Sequence, residues 1–342
     1  MRVVVTGGAG FIGSALIRKL VKKKYYIINV DKLGYASDLS NLHSIKKYQN
    51  YKFIKANISN LNKLKNIFKK YTPQYVINCA AESHVDRSIK SSKDFIESNI
   101  LGTYNLLECV RISMTSNKFY KKKKFYLFHQ VSTDEVFGDS DKLKIAPDEC
   151  SNYNPSSPYS ATKASSDNLV VAWGRTFNIP YTISICTNNY GPFQFPEKLI
   201  PVIILNSLRG KKIPVYGDGK QIRDWLYVED HVDAILKIVF NKKIKNEKFN
   251  ISGNNQVKNI DLVEIICNLM NRTVKLKPKN VSDFKNLIEF TKDRLGHDRR
   301  YFLKSKKITD SFGWTPKYDI KKGLKITLNW YLKNGEWCKN KV

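Results

Sequence analysis

Short apolar runs rich in Val, Ile and Tyr alternate with longer, mixed-polarity stretches through the first half of the chain: "RVVVTG", "FIGSALIRKLVKK", "YYIINVD", "YKFIKAN", "LNKLKNIFKKY" and "QYVINCAA". Runs of the first kind are strand-like and those of the second helix-like, and their alternation predicts parallel β-α-β units in a doubly wound sheet. An amphipathic segment, "SNILGTYNLLECVRISM", and a further strand, "FYLFHQVS", follow. After about residue 180 the pattern changes: loops rich in Pro, Gly and Asn ("NNYGPFQFPEKLIP", "GKKIPVYGDGKQ") separate short helices such as "VEDHVDAILKIVF" and "IDLVEIICNLM". We expect a nucleotide-binding lobe over 1–180, with segments of about 220–250 returning to it, and a smaller substrate lobe over most of 181–342.

At 342 residues the chain is long enough for two lobes, and 42% hydrophobic content fits a globular protein. The formal charge of +29 could signal nucleic acid, a membrane surface or anionic substrates. Its lysines are scattered, however, and the two runs, 22–24 and 121–124, read as solvated helix-end or loop surface. Neither run carries the aromatic and glycine pattern of an RNA-recognition motif. Six cysteines without a CxxC pair argue against zinc and against a disulfide framework. His43, His129 and His231 lack metal-ligand spacing, so no metal is expected. Trp173 and Trp225 read as packing residues. With no apolar run of membrane-spanning length and no cleavage pattern in the first residues, a cytoplasmic protein is expected.

"VVVTGGAGFIGSAL" reads as strand, glycine turn and helix. Gly7, Gly10 and Gly13 let the backbone approach a pyrophosphate at the helix N-terminus. A lone glycine pattern is weak, but the next strand ends in Asp31, eighteen residues after Gly13, where a carboxylate can accept from adenosine ribose hydroxyls and would repel a 2′-phosphate. The expected cofactor is NAD. "YSATK" sets Tyr159 and Lys163 one helical turn apart, behind the helix start "NPSSP". A nearby ammonium and the positive charge of the nicotinamide would stabilise the phenolate of a tyrosine that otherwise titrates near 10. "STDEV" places Thr133, Asp134 and Glu135 at the end of an apolar strand; in isolation an adjacent acid pair there is a solvated turn.

Together these motifs resemble the extended short-chain dehydrogenases/reductases, a Rossmann-type α/β fold. "STDEVFG", "AAESHVDRS", "NNYGPFQFPEKLIP" and "GDGKQIRDWLYVEDH" resemble, among them, the dTDP-glucose 4,6-dehydratase family. The resemblance runs from Met1 to about Trp330 and implies oxidation of a sugar at C4 by NAD, loss of water across C5 and C6, and return of the same hydride at C6. It implies that Tyr159 takes the C4 hydroxyl proton while Thr133 bonds that oxygen, that Glu135 takes the C5 proton, and that Asp134 protonates the departing C6 hydroxyl. It places the cofactor against Gly7, Gly10, Phe11, Ile12 and Gly13, then Asp31, Lys32, Asn57 and Ile58, and finally Ala80, Ala81, Ser98, Tyr159, Lys163 and Asn189. The nucleotide sugar would meet Ser83, His84 and Thr133, then Asn188, Lys198, Leu199, Pro214 and Tyr216, with Arg223 on its pyrophosphate. Asn259, Asp293 and His297 would complete that side.

Three positions depart from the family pattern: Asn57 stands for Asp near the adenine, Phe137 for Tyr, and Leu295 for Pro in the closing loop. The resemblance also implies a homodimer, through the segment "DFIESNILGTYNLLECV" and the helix bearing "YSATK", and rhamnose precursors as the common outlet. Competing readings are a UDP-glucose 4,6-dehydratase, which can share the acid pair, or a 4-epimerase. A Rossmann protein that binds nucleic acid without turnover is disfavoured by the intact Thr133, Asp134, Glu135, Tyr159 and Lys163.

Overall fold

The computed structural model describes residues 1–115, 125–143, 146–339 and 341. The basic run at 121–124 lies outside the described residues. Lys22 to Lys24 are exposed at the end of the first helix, where Lys24 turns the chain with φ 62°.

The apolar runs become the strands of one sheet, buried through its middle and more exposed at the Tyr51–Lys55 edge. These are β1 (Arg2–Thr6), β2 (Tyr26–Asp31), β3 (Tyr51–Lys55), β4 (Tyr75–Asn78), β5 (Leu127–Thr133), β6 (Tyr181–Cys186) and, much later in the chain, Glu247–Ile251. The sheet has seven strands with Glu247–Ile251 at one edge, then β6, β5, β4, β1, β2 and β3. All six pairings are parallel. Val3, Val4 and Val5 are wholly buried because helices cover both faces. Helix α1 (Phe11–Lys22) covers one, through Leu16, Ile17, Leu20 and Val21. The chain moves from β1 to β2 on one side and, after β3, crosses to β4 on the other, so a crevice opens beyond the ends of β1 and β4, where such sheets bind dinucleotides.

On the other face lie α2 (Leu61–Tyr71), α3 (Gly102–Thr115) and α4 (Pro158–Phe177). The start of α4 follows from its sequence: Ser157 accepts from the Ser160 backbone, the Ser160 hydroxyl accepts in return, and Pro158 stands in the first turn. A polar chain locks this helix to the sheet beneath the crevice, from Thr6 to Asn78 (2.5 Å), to Gln130 (2.9 Å) and to Ser166 (3.2 Å).

After β6 the chain alternates between lobes. Strand β7 (Asn188–Tyr190) pairs with Ile222–Tyr227, and that strand with Gln256–Lys258, in a small three-stranded sheet; Ile213–Tyr216 pairs with Ile288–Thr291 in another. These cover a second core built around Tyr190, Ile203, Trp225, Leu262 and Phe284. Helix Val228–Val239 packs back on α1, and Glu247–Ile251 joins the large sheet. Of the segments near 220–250, residues 228–251 therefore lie with the large sheet and Ile222–Tyr227 with the small one; β6, beyond residue 180, belongs to the large sheet because all six of its residues are buried there.

Candidate active site

One cavity of about 560 Å³ runs from the glycine turn to the mouth between the lobes. At its inner end Gly7 has φ +66°, and a Cβ there would sit 2.7 Å from the Ala80 backbone, so only glycine allows the close approach. Gly10 caps α1 without a side-chain hydrogen bond, and the first turn of α1 carries no acidic residue. The uncapped N–H groups thus face the cavity, an arrangement that suits a pyrophosphate. Asp31 ends β2 with one oxygen held by the Leu33 N–H (2.8 Å) and the other by the Ala9 N–H (2.9 Å), which aims the carboxylate at the position of the ribose. Lys32 is tied to Glu82 at 2.6 Å. These residues fit NAD, and Phe11, Ile12, Gly13, Asn57, Ile58, Ala80, Ala81, Ser98 and Asn189 line the same cavity.

Deeper in, β5 delivers Thr133, Asp134 and Glu135 opposite Tyr159 and Lys163 of α4, and all five line the cavity. Thr133 Oγ1 donates to Asp134 Oδ1 at 3.2 Å, while Oδ2 is buried without a partner among the described residues. Burial pushes this carboxyl well above the usual range, and the neighbouring Glu135 charge adds to the effect. Glu135 is raised by burial too, opposed by Arg223, Lys198 and Arg294. The pair can therefore hold one proton between them, as an acid beside a base.

The Tyr159 phenol lies in the same cavity. Lys163 Nζ donates to the Val131 carbonyl at 2.7 Å. Burial first, and then the Glu135 charge, hold the phenol well above its ordinary value, with a hydrogen bond to Thr133 opposing them. A neutral phenol is thus the resting state, and the added positive charge of a bound nicotinamide would act against these two causes.

Across the mouth lie Arg223, Lys198 and Arg294. Arg223 is anchored on the Ile222 and Asp298 carbonyls, 2.9 Å each, and stacks over Tyr301 at 4.2 Å. Lys198 Nζ donates to the Ser83 carbonyl at 2.9 Å. His84, lowered to about 4 by burial and then by Lys198, is neutral. Asn188, Leu199, Pro214, Tyr216 and Asn259 also line the cavity, and Asn259 Oδ1 is buried without a partner among the described residues. Asp293 does not line the cavity; it holds His297 Nδ1 at 2.6 Å from behind. Of the departures, Asn57 faces the cavity, Phe137 is buried edge-on to Tyr153 (5.3 Å), and Leu295 is 74% exposed.

Sequence reasoning missed Arg294, which grips Asp86 with two hydrogen bonds of 2.6 and 3.1 Å, and Tyr301, Asp298, Glu197 and Tyr35 of the same walls. Arg294, Asp298 and Tyr301 all fall inside the run "DRLGHDRRY", which also holds Asp293 and His297. The available signal was that run's density of polar groups.

The model of the GDP-mannose 4,6 dehydratase family matches residues 4–327. A dTDP-glucose 4,6-dehydratase of Escherichia coli is 47% identical, over 98% of this chain and 95% of that one. The chain belongs to the dTDP-glucose 4,6-dehydratase family. A crystal structure of a family member from Bacillus anthracis, in complex with NAD, superposes with a TM-score of 0.86 at 40% identity, covering all of both chains. Another, from Streptomyces venezuelae with NAD and dTDP bound, gives 0.90 at 34% identity, again over both whole chains. NAD is the cofactor of this dehydratase fold, and no described helix is long and apolar enough to cross a membrane.

Proposed function

We propose that the chain converts dTDP-glucose into dTDP-4-keto-6-deoxyglucose. The observation that carries this reading is the adjacent Asp134 and Glu135, raised by burial, facing Tyr159 in the cavity that begins at the glycine turn. NAD, when bound, supplies the acceptor for the C4 hydride and returns it at C6. Tyr159, as the phenolate that the positive charge of a bound nicotinamide would favour, takes the C4 hydroxyl proton and Thr133 bonds that oxygen. The resulting ketone acidifies C5–H, Glu135 removes that proton, Asp134 delivers its own to the C6 hydroxyl as water leaves, and Glu135 gives a proton back to C5 when C6 is reduced. Arg223 and Lys198 hold the pyrophosphate, where a fork and a point charge together suit its oxygens.

The same reading includes a homodimer. Leu101, just before α3, and Tyr104 and Ile112 of α3 are 41%, 36% and 37% exposed, beside Phe177 of α4 at 41%. Tyr104 meets Trp173 edge-on at 5.7 Å, and Trp173 meets Phe177 at 5.7 Å, so the apolar face is continuous across both helices. Contiguous exposed apolar surface of this kind marks an interface.

The test is turnover of dTDP-glucose carrying deuterium at C4, without added NADH, followed by mass spectrometry. Loss of one water with the deuterium retained at C6 is expected. Intact dTDP-glucose alongside converted UDP-glucose would reassign the nucleotide, and no conversion of either would overturn the dehydratase reading.

A further inference from the structure

Gly335–Lys339 forms a short helix that returns from the small lobe to the back of the glycine turn. Trp337 Nε1 donates to Asn41 Oδ1 at 2.9 Å, and Asn41 Nδ2 donates in turn to the Ala9 carbonyl at 2.9 Å. That carbonyl also accepts from the Asp38 N–H at 2.9 Å, while the Ala9 N–H donates to Asp31 at 2.9 Å. Arg18 NH1 closes the arrangement on the Asn41 carbonyl at 2.9 Å. Asn41 is 3% exposed and Ala9 fully buried, so the Asn41–Ala9 bond forms away from water, where leaving it unmade is costly, and the Trp337–Asn41 bond is part-buried above it. Lys341 adds an ion pair to Asp38. Trp337 is itself wedged among Trp330, Tyr331 and Phe193, with ring centroids 5.0, 6.4 and 6.2 Å away.

We propose that Trp337 and Asn41 are positioning residues that set how long the protein retains NAD. The segment Gly34–Ser37, immediately before Asp38, lines the cavity beside Asp31, Asn57 and Ile58, on the adenosine side. For a dinucleotide to leave, this segment and the glycine turn must part, and local openings of that kind are governed by the few bonds that hold the loop's ends. The Trp337–Asn41–Ala9 chain holds one end, across 296 residues of sequence. Retention matters because a hydride that is lent and returned within one turnover requires the same cofactor molecule to stay. The inference rests on the function proposed above.

Trp337→Phe keeps an aromatic ring among its neighbours and removes the donor together with part of the indole's contact area. In the holoprotein, exchange of bound NAD against labelled NAD is expected to quicken about two- to tenfold, the worth of one hydrogen bond. The unfolding temperature of the NAD-free protein should change little. Asn41→Leu should quicken exchange further, and the double variant should exchange no faster than Asn41→Leu alone, since the indole acts through Asn41. Exchange at the wild-type rate in Trp337→Phe, or quickening that merely tracks lost stability of the NAD-free protein, would overturn the inference while leaving the dehydratase reading intact. A wild-type protein that binds no NAD would overturn both.

Discussion

Asp134 has one oxygen on Thr133 and the other buried without a partner among the described residues, a state that a proton relieves. Its raised affinity for that proton has a kinetic consequence. Glu135 must be ionised to act as base and Asp134 protonated to act as acid, and both are raised above the usual carboxylate range. Activity should therefore climb as pH rises through the Glu135 value and fall as pH rises further through that of Asp134. In Asp134→Asn the acid is lost but the shape is kept. Elimination should slow by about 10²–10⁴-fold while the 4-ketone still forms, as rapid quenching into borodeuteride would show. Equal losses in both steps would remove Asp134 from the proposed role. The acid pair was legible because two carboxylates at the end of an apolar strand need a reason. The resting state of Tyr159 was not, since the Val131 carbonyl that engages Lys163 carries no side-chain signature.

The glycine turn is where local sequence and packing agree most tightly. A Cβ on Gly13 would lie 2.3 Å from the Gly7 carbonyl oxygen and 2.8 Å from Gly8 Cα, backbone atoms that cannot swing aside. On Gly10 its nearest neighbour is the Gly7 oxygen at 3.3 Å. Gly13→Ala should lower the stability of the NAD-free protein by about 1–3 kcal/mol, as overpacking does, and Gly10→Ala by clearly less. Chemical denaturation measures both, and equal losses would show that α1 does not depend on close contact with the turn. This turn and the strands around it were readable because each is a continuous buried run next to a helix of ordinary length. The small lobe was not: Asn188–Tyr190, Ile213–Tyr216, Gln256–Lys258 and Ile288–Thr291 are three or four residues long. At that length alternation carries little information, and the pairing partner alone fixes the register. Arg294 and Tyr301 reach the cavity from the irregular loops of this lobe, which explains why the acid pair could be placed from sequence and these two residues could not.

For the whole molecule, a formal charge of +29 sets the terms of self-association. Two such copies repel each other over a Debye length, about 10 Å at 0.1 M salt. The face on α3 and α4 is apolar, and the Glu108–Arg111 ion pair beside it, at 2.7 Å, closes within the chain. Attraction there comes from removing Leu101, Tyr104, Ile112 and Phe177 from water, which salt does not weaken, whereas the opposing net charge is screened. The proposed dimer should therefore tighten as salt rises, the reverse of an association held by ion pairs between copies. Sedimentation velocity would read this as a species of twice the 39.5 kDa chain mass that gains population between low and moderate salt. Leu101→Glu and Tyr104→Glu each place a carboxylate where the second copy would bury it without a partner, and should yield the single chain even in salt. A wild-type protein that sediments as a single chain at all salt concentrations, or a dimer that these two substitutions leave unchanged, would rule this face out.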